Sequence, residues 1–78
     1  MIYLMTEYTS NIKKRAAQVA DSLLSEGYRL MYETDLEGYH YMYLRHTSNG
    51  NRMNIMYQSD VIYLQKNGLV VKKIYAKV

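Results

Sequence analysis

The chain reads as an α+β domain in which one N-terminal helix packs on a four- to five-stranded antiparallel meander sheet. Three observations predict this. An apolar stripe at helical spacing runs from Ile12 to Leu23, the period switches to two after Gly27, and Asn-Gly pairs stand at 49–50 and 67–68 between strand-like runs. Seventy-eight residues leave room for one domain and one core. The expected organisation is a strand or arm within residues 1–8, a helix over 10–26 and an antiparallel sheet over 28–77.

The helix comes first. Ile12, Ala16, Val19, Ala20 and Leu23 fall on one stripe, while Lys14, Gln18, Asp21 and Ser25 fall opposite. Thr9 or Ser10 is placed to cap the start, and Gly27 to close the end in a left-handed conformation. Lys13 and Lys14 oppose the helix dipole in the first turn, and stability gives no reason for them there.

The sheet follows. "YRLMYET", "YHYMYLRH", "NRMNIMYQ", "VIYLQ" and "LVVKKIYAKV" are β-rich runs separated by "DLEG", "SNGN", "SD" and "KNG". With a two-residue turn at Asn49-Gly50, Leu44 should face Ile55, Met42 face Tyr57 and His46 face Met53. These residues and His40 share one side, which should pack under the helix. Tyr39, Tyr41, Tyr43, Arg45, Arg52, Asn54, Met56 and Gln58 share the other. In the run before them, a four-residue "DLEG" loop would put Leu30 and Tyr32 on the tyrosine side. A bulge at Gly38 would put both in the core, as hydrophobicity favours. In the last hairpin, Ile62, Leu64 and Val71 should share one face, and Val61, Tyr63, Val70, Lys72 and Ile74 the other. Both faces are apolar enough to want cover, yet one helix covers only one side. A second copy, a target protein or the N-terminal "MIYLM" must cover the other.

Composition excludes several functions. There is no cysteine, which removes disulfides and thiolate metal sites. The two histidines would lie roughly 20 Å apart on one strand at ~3.4 Å per residue, too far to share a metal or a proton. No nucleophile–base spacing, Gly-rich phosphate loop or paired-carboxylate motif is present, so no cofactor and no enzyme activity are expected. Glu33, Asp35 and Glu37 cluster at one turn, where Asp35 reads as a turn former and the other two as solvated. No apolar run approaches a signal peptide or the ~20 residues of a membrane span, so a cytoplasmic protein without membrane contact is expected. The net charge of +3 is modest and its cations look scattered.

The surface to weigh is therefore a binding surface, with Tyr39, Tyr41, Tyr43, Arg45, Arg52, Asn54, Tyr63 and Lys72 as its candidates. Tyrosine offers a rigid amphipathic face at low entropy cost, and Tyr and Arg concentrate at interface hot spots. A protein partner is expected first, with a homodimer through the sheet face or edge as a variant. Nucleic acid comes second, because the same residues stack bases and contact phosphate. All ten aromatics are tyrosine, and there is no Phe, Trp or Pro. Together with abundant Met, Ile, Asn and Lys, that is the usage of an AT-rich coding sequence. It tilts expectation toward a phage or mobile-element product that inhibits a host factor, such as restriction or CRISPR machinery.

An enzymatic alternative rests on "EGYHYMYLRH". Following a helix, it is similar to the start of HicA-type mRNA interferase toxins, whose G-S-H motif is matched here by Gly38 and His40, with Tyr39 in place of the serine. The resemblance covers about half the chain, and the C-terminal helix of that family is replaced by "VIYLQKNGLVVKKIYA". It implies RNA cleavage dependent on His40.

Overall fold

The computed structural model describes residues 4–78. Along the chain run β1 (Met5–Thr9), α1 (Ile12–Ser25), β2 (Tyr28–Leu36), β3 (Tyr39–His46), β4 (Arg52–Tyr57), β5 (Val61–Lys66) and β6 (Leu69–Ala76). One helix and a sheet form, as the sequence predicts, but the sheet has six strands and is mixed. Its order is β1-β6-β5-β4-β3-β2, and β1 pairs with β6 in parallel while every other pairing is antiparallel. The sixth strand is β1, drawn from the segment expected to be a strand or arm; residues 1–3 of that segment lie outside the described residues.

The topology explains the path of α1. β1 and β2 lie at opposite edges and run in the same direction, so the helix must carry the chain across the whole sheet. Five interstrand gaps of ~4.8 Å make about 24 Å. The 14 residues of α1, at ~1.5 Å each, make about 21 Å. The helix therefore crosses the sheet rather than lying along one strand, and it touches β2, β4, β5 and β6.

Asn11, not Thr9 or Ser10, caps the helix. Its backbone is extended and its Oδ1 accepts from the Lys14 N–H at 3.0 Å. Ile12, Ala16, Val19 and Leu23 are buried on the stripe that the sequence marks, and Ala20 packs at its border. Beneath them lie Met42, Leu44, Met53, Ile55, Ile62 and Ile74. Leu44, Ile55, Ile62 and Ile74 are wholly buried, each contributing roughly 1.5–3 kcal/mol of transfer free energy.

Two bulges and one loop correct the expected registers. Between β2 and β3 the register shifts at Met31, so Leu30 stays on the helix side opposite Leu44 while Tyr32 crosses to the far side opposite Tyr43. The expected four-residue "DLEG" loop is a two-residue turn at Glu37-Gly38, both at positive φ as a type I′ turn needs. Between β5 and β6 the extra residue is Val71, which puts Lys72 and Ile74 on the helix side instead of the far side. Asn67-Gly68 makes the expected two-residue turn.

Asn49-Gly50 does not make a two-residue turn. The His46 N–H donates to the Asn51 carbonyl at 2.8 Å, leaving a four-residue loop, Thr47–Gly50. The cause is local. His46 Nδ1 accepts from the Ser48 and Asn49 N–H groups at 3.2 and 3.3 Å, which draws the loop back over the ring. Pairing slips by two residues, so Met42 faces Ile55, Leu44 faces Met53 and His40 faces Tyr57. A slip of two preserves the faces.

Candidate binding face

α1 covers one side of the sheet, and no element covers the other among the described residues. Register places the open side residue by residue. One row crosses all six strands as Thr34, Tyr41, Met56, Tyr63, Lys73 and Thr6. A second runs Tyr32, Tyr43, Asn54, Gln65 and Val70. Leu36 and Tyr39 stand at one side of these rows, with Val61, Tyr75 and Tyr8 across from them. Seven of the nine tyrosines among the described residues are therefore here: 8, 32, 39, 41, 43, 63 and 75.

Of the residues singled out from sequence, Tyr39, Tyr41, Tyr43, Arg45, Arg52, Asn54 and Tyr63 do share this face. Lys72 does not. The bulge at Val71 turns it to the helix side, where its Nζ lies 2.9 Å from Glu7 Oε1. Its neighbour Lys73 takes the open-face position, with Nζ 5.7 Å from the centroid of the Tyr63 ring. Sequence reasoning missed Tyr8, Tyr32, Tyr75, Arg29 and Lys73 because a bulge or a parallel partner decides each one's side.

The tyrosines form a layer that supports itself. Tyr32 lies 6.1 Å from Tyr41 and 5.5 Å from Tyr43, centroid to centroid, and Tyr39 lies 6.2 Å from Tyr63. Burial, and then the Tyr32 phenol beside it, raises the Tyr41 hydroxyl above its ordinary pKa, so it stays a neutral donor. Between these rings is a hollow of about 230 Å³ lined by Tyr32, Tyr41, Tyr43, Arg52, Asn54 and Gly68. Asn54 Oδ1 is buried there with no hydrogen-bond partner, while its Nδ2 donates to Gln65 Oε1 at 3.4 Å.

Charge that looks scattered along the chain is sorted by the fold. Arg29 pairs across strands with Arg45, and Arg45 with Arg52, so three exposed arginines stand side by side on β2, β3 and β4. Glu7, Glu33 and Asp35 point to the helix side; Asp21 and Glu26 belong to α1 and its end; Glu37 and Asp60 sit in turns. The strands present no carboxylate on the open side.

Both histidines lie on the helix-facing side at its edges, as read from sequence. His46 is held by structure: Nε2 donates to the Glu26 carbonyl at 3.0 Å while Nδ1 accepts from the loop. His40 Nδ1 meets Asp35 Oδ1 at 2.9 Å and Nε2 meets Glu33 Oε2 at 2.7 Å. The Asp35 hydrogen bond first, and then that of Glu33, raises its pKa. Glu33 and Asp35 are thus exposed residues of β2 that partner His40, rather than residues of the turn. Both ring nitrogens of His40 are engaged, and the chain after it continues as strands.

No helix among the described residues is long and apolar enough to cross a membrane. Comparison with known proteins finds no matching family model, no similar characterised protein and no similar solved structure.

Proposed function

We propose that this is a small non-enzymatic binding protein that works by laying its open sheet face against a protein surface and blocking it. The observation that carries this reading is the uncovered layer of seven tyrosines on the side of the sheet opposite α1. A side chain that is large, rigid and amphipathic gains most by being covered, and here Tyr8 and Tyr32 are exposed while the other five are half-buried, which leaves the rest of their surface to a partner. The face is about 24 Å wide and roughly 20 Å long, some 500 Å² in projection. That suits one side of a standard protein interface, about 800 Å² of accessible surface. Occupying a surface needs no reacting group, and the pairing of both histidines within the chain supports that economy. With its AT-rich residue usage, the chain suits a phage or mobile-element product directed at a host factor.

A second reading is single-stranded nucleic acid, favoured by one observation, the three adjacent arginines beside stacking rings. The two separate in one experiment, capture of partners from bacterial lysate with and without nuclease. A defined protein should survive nuclease and disappear with Tyr41→Ala/Tyr43→Ala/Arg45→Ala. Recovery of nucleic acid alone, lost as salt rises, would replace the first reading by the second. A second copy of the chain as the occupant would appear instead as a dimer in sedimentation at high concentration.

A further inference from the structure

The arginine row is costly to keep. Like charges directly opposite one another on neighbouring strands repel, and Arg29, Arg45 and Arg52 stack that penalty twice. Among the described residues none of the three forms an ion pair, whereas Arg15 and Lys72 both hold Glu7. Arg29 and Arg45 also line an open depression of about 580 Å³, together with Met31, His46 and the loop Thr47–Gly50. The row spans two interstrand gaps, about 10 Å.

We infer that this row is the anchor for an acidic peptide segment of the partner protein, with carboxylates at alternate positions. The inference rests on the reading of the open face as a protein-docking surface. Guanidinium groups are always charged and take carboxylates in a two-pronged geometry. In an extended segment, side chains two residues apart lie ~6.8 Å apart on one side, so two carboxylates span most of the row. The rest of the face argues for a peptide over a polynucleotide. A single strand of nucleic acid needs cations that follow its backbone across the whole footprint. Here they gather at one end, and beyond them the described strands present tyrosine, amide, threonine, methionine and the aliphatics Leu36, Val61 and Val70 on the open side, with Lys73 as their one cation. One charged end and a broad neutral remainder match a protein surface with a local acidic patch.

The test is an amide-resolved NMR titration of the full chain with a short peptide of alternating Glu and Ser. Shifts should concentrate at Arg29, Arg45, Arg52 and the 47–50 loop, leaving Lys13 and Lys14 unmoved. Arg45→Gln, an exposed change, should weaken the peptide about tenfold, and Arg52→Gln similarly. Equal shifts at Lys13 and Lys14, or none at the row, would overturn the anchor. So would oligothymidylate that binds more tightly than the peptide and shifts the tyrosine rows. Loss of the docking face is distinguishable from loss of the anchor. If capture of a protein partner fails with Tyr41→Ala/Tyr43→Ala but survives Arg45→Gln, the face stands and the anchor falls.

Discussion

The imidazole of His46 occupies the space that any side chain at Gly27 would need. A Cβ built there would lie 2.8 Å from His46 Nε2, and Gly27 has φ +102°. The ring is fixed by bonds from both nitrogens, so it does not swing aside freely. Gly38 has a comparable φ of +84° but open space around it. Gly38→Ala should therefore cost the backbone penalty alone, about 1 kcal/mol, and Gly27→Ala about 2 kcal/mol or more. Urea midpoints of the two variants provide the check. Equal losses would mean that the His46 ring yields.

Glu7 ties the first strand to the rest. Hydrogen bonds from Arg15, and then from Lys72, hold its carboxyl down at about 2. Because the folded pKa lies below the unfolded one, the stabilisation is complete above pH ~4.5 and lost as pH falls toward ~2. The pair is partly exposed, so the contribution is on the order of 1 kcal/mol rather than the full shift. Glu7→Gln should flatten the acid limb of the stability profile in that window. An unchanged limb would show that another carboxylate governs acid unfolding.

His40 has the opposite sign. Its folded pKa is raised by Asp35 and Glu33, so its contribution is complete below about pH 6.5 and fades as pH climbs through the raised value. With Asp35 largely solvated, the effect should stay below ~1 kcal/mol. His40→Gln should remove this slope above about pH 6.5 in pH-dependent urea melts. A wild-type profile flat across that range would contradict the pairing.

Asn54 carries an unmet acceptor in the middle of the tyrosine layer. Asn54→Val keeps a strand-forming side chain and removes that carbonyl, so the chain should gain about 1 kcal/mol in urea denaturation. A loss of stability would show that Oδ1 is satisfied in solution.

Much of the fold is legible in particular residues. The stripe Ile12, Ala16, Val19, Leu23 reads directly because helical periodicity and burial point the same way. The alternation of Tyr41, Met42, Tyr43, Leu44 separates the two faces of β3, and a register slip of two leaves that separation intact. What eludes sequence is any event that changes parity. Met31 and Val71 carry no signature of a bulge, yet each inverts the strand beyond it, and so Tyr32 lands opposite to hydrophobic expectation and Lys72 opposite to the alternation counted from the Asn67-Gly68 turn. The parallel pairing of β1 with β6 joins residues nearly the whole chain apart, which local patterns do not encode. The arginine row is hidden for the same reason, since its members are neighbours only after three strands are aligned.

That distant pairing also sets an order of events during synthesis. The strands β2 to β5 bond only to their neighbours in sequence and can assemble as they leave the ribosome. β1, though translated first, has no sheet partner until β6 emerges behind it. Its exposed Met5 and Tyr8 wait in the meantime with α1, and a chain that stalls before Leu69 loses two strands, not one.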